Sequence, residues 1–205
     1  MYFIETYNES VSPDDCQKII DYFESNPDKH VQGVYAIDGE VTVDRSVKDS
    51  TDMAMNLGDD NVCNEILIPV INFCTELYRE SYPAVDKISN WSCDPKYNIQ
   101  RYYPNQGYFA SHCEDSSREC NRVMGWSLYL STVTNGGFTV FDNYNLKIDS
   151  AAGKFCIFPA YWTHMHRGVP SPDQIKYIIT GWYQYSDDQG FPQDDDQFHF
   201  KSWND

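Results

Sequence analysis

Trp126-Ser127-Leu128-Tyr129-Leu130-Ser131, a break of four residues, and Gly136-Gly137-Phe138-Thr139-Val140-Phe141 decide the fold class. Both runs are short and rich in aromatic and branched side chains, and a glycine pair opens the second. That is the texture of strands joined by turns. It recurs on either side, in Asn98–Tyr103, Lys154–Phe158 and Tyr177–Tyr185, with Pro, Gly, Asn and Asp in between. Several short strands with turn signals, from about Trp91 onward, predict a sandwich or barrel.

Before Trp91 the pattern is helical. Ser12-Pro13-Asp14-Asp15 reads as an N-cap, a proline at the first helical position and acids in the first turn. Cys16, Ile19, Ile20 and Phe23 then repeat at helical spacing. A second helix is expected from Asn61 to Tyr78, with Ile66, Val70, Phe73 and Leu77 on its packed face and Pro69 as a kink or start. After Tyr185 the chain turns polar and acidic, though Phe191, Phe198, Phe200 and Trp203 could pack back. The reading is thus one domain over 1–205. Residues 1–90 supply helical elements, 91–185 the β core and 186–205 an acidic tail.

Bulk properties narrow the function. A chain of 205 residues can bury one sizeable core. A net charge of −16 opposes a non-specific grip on nucleic acid or an anionic membrane, since both need a basic surface. Seven cysteines (16, 63, 74, 93, 113, 120 and 156) form an odd, scattered set without a CxxC pair, which argues against a zinc framework or a disulfide scaffold. With no visible signal peptide and no apolar run of membrane-spanning length, a reduced, cytoplasmic setting is expected.

Candidate metal ligands lie among the strands. His112 and Glu114 are two apart, so on a strand both point to one face. Two imidazoles and a carboxylate suit Fe(II) with open coordination positions. A third ligand from His164 or His166 requires a fold that brings distant strands together. A double-layered antiparallel barrel of the jelly-roll, cupin-like kind does so. Chemistry alone does not separate the two histidines, which would face the same side.

The chain resembles the Fe(II)/2-oxoglutarate dioxygenases, specifically their prolyl 4-hydroxylase branch. The resemblance rests on Tyr103 nine residues before His112, on Leu128-Tyr129-Leu130-Ser131 and on Gly136-Gly137-Phe138-Thr139-Val140-Phe141. It continues with Gly153-Lys154-Phe155-Cys156-Ile157-Phe158, His166-Arg167-Gly168-Val169-Pro170, Lys176 and Trp182. It covers residues 99 to 185 closely, and the pieces come in the family's order and spacing. That register selects His166, which alone has a proline four residues on, a lysine ten on and a tryptophan sixteen on. Two positions depart from the family pattern. Glu114 stands where Asp is usual, which bears on iron affinity, and Phe138 stands where Glu is frequent, which bears on packing.

The resemblance implies a mainly β fold with flanking helices and a double-stranded β-helix core. It implies Fe(II) on His112, Glu114 and His166, with 2-oxoglutarate and O2 as cosubstrates and ascorbate as reductant. Lys176 would pair with the distal carboxylate of 2-oxoglutarate, Tyr129 would donate to the same group and Tyr103 would line the pocket. The expected reaction hydroxylates a substrate and releases succinate and CO2. A proline in a peptide or protein is the expected target. Trp126, Tyr161 and Trp162 are candidates for an aromatic floor, and Arg122 and Arg167 for holding the substrate. Two alternatives stand beside it, a hydroxylase of a small molecule or free amino acid, and a non-catalytic cupin-like metal-binding domain.

Overall fold

Two capped helices frame one side of the molecule. The structure, a computed structural model, describes residues 2–37, 40–115 and 121–186. The tail beyond residue 186, including Phe191, Phe198, Phe200 and Trp203, lies outside the described residues. Ser12 accepts from the Asp15 amide at 3.1 Å and opens α1 (Pro13–Glu24), which buries Cys16, Ile19 and Phe23. Asn61 accepts from the Asn64 amide at 3.1 Å and opens α2 (Val62–Ser81). This helix runs through Pro69, and its buried face carries Cys63, Leu67, Ile71, Cys74 and Tyr78. The expected stripe is displaced by about one residue, since Phe73 is 63% exposed.

Five strands come from the first ninety residues, where the sequence suggested helices. They are β1 (Glu5–Tyr7), β2 (Val31–Gln32), β3 (Tyr35–Ile37), β4 (Glu40–Thr42) and β5 (Thr51–Asn56). The segments Glu5-Thr6-Tyr7 and Thr51-Asp52-Met53-Ala54-Met55-Asn56 lack a strong alternation of β-branched residues. Their conformation is set by the strands they join. The core follows as β6 (Trp91–Tyr102), β7 (Arg122–Tyr129), β8 (Thr139–Phe141), β9 (Leu146–Ile148), β10 (Phe155–Pro159), β11 (His166–Gly168) and β12 (Lys176–Tyr185).

The large sheet has the order β1-β10-β7-β12-β6-β5-β2, and every pairing in it is antiparallel. A small sheet, β11-β8-β9, lies against it, and β3 pairs with β4 as a hairpin. Alternation along the strands divides the large sheet into two faces. Ile99, Leu128, Ile157 and Ile179 face the helices and share a core with Cys16, Phe23, Leu67 and Ile71. Tyr102, Tyr129, Cys156, Phe158 and Ile178 face the small sheet and meet Phe141 and Ile148 there. The result is a jelly-roll core, mainly β, with helices packed on its outer face. No helix among the described residues is long and apolar enough to cross a membrane.

Candidate metal centre

Backbone pairing brings the distant histidines together. His112 and His166 exchange amide-to-carbonyl hydrogen bonds of 2.9 and 2.8 Å, an isolated antiparallel bridge joining a loop to β11. Glu114 is anchored by its own amide, which donates to the Ala160 carbonyl at 3.0 Å. His112 and Glu114 do not lie on a regular strand as expected, but they converge nonetheless. The ligand atoms of His112, Glu114 and His166 all lie within 4.8 Å of one another. His166 Nε2 is 3.1 Å from Glu114 Oε1, and His112 Nε2 is 3.8 Å from the same oxygen.

Both imidazoles are oriented for ligation. His112 Nδ1 donates to the Ala110 carbonyl at 3.1 Å, and His166 Nδ1 donates to the His164 carbonyl at 2.9 Å. A carbonyl accepts only, so the proton sits on Nδ1 and the Nε2 lone pair faces the cluster. Burial, helped by His166, pushes His112 down to about 4, against the upward pull of Glu114. It is therefore neutral, as a metal ligand must be. Burial pushes the Glu114 carboxyl up, but the adjacent His166 and His112 rings and the N–H of Trp182 outweigh it and hold the group well below its ordinary range. Two imidazole nitrogens and an ionised carboxylate fit Fe(II) in donor type.

His164 takes no part in this cluster. Its Nε2 donates to the Tyr2 carbonyl at 2.8 Å and its Nδ1 lies 2.9 Å from the Thr163 hydroxyl, so its ring serves the N-terminal segment. His112 stacks on Tyr108, with ring centroids 3.8 Å apart. Glu114 has a partner that sequence reasoning did not assign: Trp182 Nε1 donates to Glu114 Oε2 at 2.6 Å. The two are 68 positions apart, so only the fold reveals the contact. Arg122 lies over the Trp182 ring at 3.9 Å and donates to the Glu114 carbonyl at 3.2 Å. Gly125 leaves room for the longer acid, because a Cβ there would sit 3.1 Å from Glu114 Cγ and closer still to the Phe158 ring. Removing an outer partner of a metal ligand typically costs tenfold to a hundredfold in affinity. Trp182→Phe should therefore lower Fe(II) affinity by about that factor in a chelator competition, with unchanged affinity dismissing the contact.

Beside the cluster a cavity of about 290 Å³ runs to Lys176. Lys176 is buried, and its Nζ makes no hydrogen bond or ion pair with any described residue. It stands 5.2 Å from the centroid of the Tyr129 ring and 6.0 Å from that of Tyr102. Burial pushes this lysine down to about 8. The hydroxyl of Tyr129 donates to Thr139 Oγ1 at 2.8 Å. Tyr103 lines the cavity at its mouth, where it is half-exposed with Arg101 stacked on it, and Tyr102 is the ring beside Lys176. Strand register explains this, because Tyr102 pairs directly with Lys176 and so shares its face.

The glycine pair in the turn before β8 also shapes this region. Gly136 and Gly137 have φ of +75° and +71°, and a Cβ on Gly136 would lie 2.3 Å from the Pro170 carbonyl oxygen. The turn can thus pack against the chain leaving β11 only without side chains. The suggested aromatic floor is not assembled. Trp126 stacks on Phe155 at 5.4 Å within the helix-facing core, Tyr161 bonds Tyr185 and Trp162 is 74% exposed. Arg122 lines the cavity, while Arg167 pairs with Asp142 at 3.3 Å.

Residues 97–184 match the family model described as the 2OG-Fe(II) oxygenase superfamily. A protein of Acanthamoeba polyphaga mimivirus, provisionally named prolyl 4-hydroxylase, is 22% identical, with 86% of this chain and 72% of that protein aligned. The viral collagen prolyl hydroxylase of Paramecium Bursaria Chlorella virus-1, solved with 2OG, is 18% identical. That comparison covers 90% of this chain and 97% of the other, with a TM-score of 0.62. A prolyl hydroxylase in complex with a hypoxia inducible factor peptide fragment from Trichoplax adhaerens is 19% identical, covers 90% and 84%, and has a TM-score of 0.67. At these identities the structural likeness establishes the fold alone.

Proposed function

We propose that this chain, a member of the 2OG-Fe(II) oxygenase superfamily through residues 97–184, hydroxylates proline within a peptide or protein and converts 2-oxoglutarate to succinate and CO2. Membership carries the coarser chemistry, that of a dioxygenase using Fe(II) and 2-oxoglutarate. The observation that carries the reading is the pairing of two features in one cavity, the cluster of His112, Glu114 and His166 and the cation of Lys176, which has no hydrogen bond or ion pair among the described residues. A buried cation with no counter-charge is costly, and an anionic ligand relieves that cost. Proline as target is supported by the name of the mimivirus relative and by the prolyl hydroxylases among the similar structures.

The residues divide the work. His112, Glu114 and His166 would hold iron, leaving positions open for the cosubstrate and O2. When bound, the iron and cosubstrate supply an oxidant strong enough to break a C–H bond. Lys176 would hold the distal carboxylate of 2-oxoglutarate through a charge-assisted contact, while Tyr102 and Tyr129 wall that end against water. Trp182 would fix the Glu114 carboxylate so that it presents one oxygen to the metal. At the mouth, Val34, Val41 and Tyr103 are exposed apolar side chains lining the cavity, a surface suited to an extended peptide. Ascorbate as reductant belongs to the same proposal.

A panel assay tests this reading. With Fe(II), ascorbate and 2-oxoglutarate, succinate release should rise with proline-containing peptides over free proline and over a blank. Mass spectrometry should place one added oxygen atom on proline. Turnover of free amino acids with every peptide untouched would instead make the chain a small-molecule hydroxylase.

A further inference from the structure

The cavity wall reads as four successive rows across β7, β12 and β6. Lys176 pairs with Tyr102 in the first row, and Ile178 with Gln100 and Tyr129 in the second. Thr180 pairs with Asn98 and Ser127 in the third, and Trp182 with Gly125 in the fourth. Directly paired residues share a face, and successive rows are two residues apart, roughly 7 Å along the strand. The fourth row is the metal end, because Trp182 holds Glu114 and Gly125 lies against it. The first row is the cation end.

The third row is unusual in its chemistry. Asn98, Ser127 and Thr180 all line the cavity, and Ser127 is only 8% exposed. None of their side chains makes a hydrogen bond with any described residue, whereas Gln100 in the row before accepts from Tyr102 at 3.0 Å. Polar groups on the inner face of a β core are ordinarily paired within the protein, whereas these three are turned to the cavity and free to meet a ligand there. Three adjacent side chains able to donate, from three neighbouring strands, suit an oxygen-rich ligand.

We infer that Asn98, Ser127 and Thr180 form a second clamp on the cosubstrate, binding the α-keto acid end while Lys176 binds the distal carboxylate. The inference rests on the reading of the cavity as a 2-oxoglutarate site. A diacid spanning the cation row and the metal end must pass the third row just before the metal. The clamp donates neutral hydrogen bonds to a carboxylate or keto oxygen there. It thereby orients the end of the ligand that reaches the metal, which Lys176 is too distant to do.

Equilibrium titration of the Fe(II)-loaded protein with 2-oxoglutarate under anaerobic conditions tests the clamp. Asn98→Ala/Ser127→Ala and Thr180→Val should each weaken binding by about tenfold or more, the range for hydrogen bonds to a charged group. Thr180→Ser, which keeps the hydroxyl, should bind close to wild type. Asn98→Asp, which sets a carboxylate against the ligand, should lose binding most while keeping the melting temperature and the Fe(II) stoichiometry. Wild-type affinity in the row variants, with Lys176→Met still defective, would overturn the clamp and leave the cosubstrate reading standing. Loss of binding that Thr180→Ser does not restore would also overturn it. Absence of 2-oxoglutarate binding to the wild type would remove the cosubstrate reading and the clamp with it.

Discussion

Replacing His166 with alanine should strip the protein of stoichiometric iron, and replacing His164 should not. The two histidines are indistinguishable by type and lie two residues apart, but their surroundings differ. His166 Nε2 is 3.1 Å from Glu114, whereas both ring nitrogens of His164 are occupied by Thr163 and the Tyr2 carbonyl. Loss of an outer partner already costs tenfold to a hundredfold in metal affinity. Loss of a ligand should exceed that range, so the His166→Ala affinity should fall by more than about a hundredfold. Metal analysis after desalting reads the result. Iron retained by His166→Ala and lost from His164→Ala would reverse the assignment.

Lys176→Met should weaken the affinity for 2-oxoglutarate strongly and at the same time make the empty protein more stable. A charge-assisted contact contributes roughly 1.5–3 kcal/mol, or about tenfold to a hundredfold in affinity. The apparent Michaelis constant for 2-oxoglutarate should rise by that factor, while that for the prime substrate stays near its value. The stability gain follows from linkage. Burial pushes Lys176 down to about 8, below the ordinary lysine value near 10.4. The unfolded chain therefore holds the proton more tightly between these values, and stability rises as pH passes from about 8 to about 10.4. At neutral pH the cost of the buried cation is fully present, at most roughly 3 kcal/mol. Methionine removes it, and each kcal/mol corresponds to about 2–4 °C in Tm for a chain of this size. Affinity of the wild type for 2-oxoglutarate should correspondingly weaken as pH rises through about 8. A Lys176→Met protein that binds 2-oxoglutarate normally would remove this residue from the site.

The parts of the fold carried by local chemistry were legible in the sequence. Ser12-Pro13-Asp14-Asp15 marks the start of α1 because capping is decided within one turn. The strand runs of the core are legible because five of them carry dense aromatic and branched residues. The face of α2 was less so. Ile66, Val70, Phe73 and Leu77 repeat as regularly as Cys63, Leu67, Ile71, Cys74 and Tyr78, and spacing alone does not say which stripe the sheet will cover. β1, only three residues long, and β5, which holds Asp, Ala and Met, were missed because such segments take their conformation from the strands beside them.

In the site, the grouping of His112, Glu114 and His166 and the place of Lys176 were suggested by motif order. The contacts that hold them were not. Whether Tyr102 or Tyr103 stands beside Lys176 depends on the parity of β6, which pairing with β12 decides. The Trp182 bond to Glu114 and the row of Asn98, Ser127 and Thr180 arise only when three strands lie in register. Long-range register is the part of a β fold that a local pattern records least well.

The central claim is that one cavity holds Fe(II) through His112, Glu114 and His166 and binds 2-oxoglutarate between that metal and Lys176. Anaerobic titration followed by the weak visible charge-transfer band of an iron–keto acid complex tests it most directly. The account predicts that the band appears with one equivalent each of Fe(II) and 2-oxoglutarate. It should be lost in Glu114→Ala and His166→Ala, and require far more 2-oxoglutarate in Lys176→Met. A wild-type protein that shows no band, or a band that persists unchanged when these ligands are replaced, would contradict it.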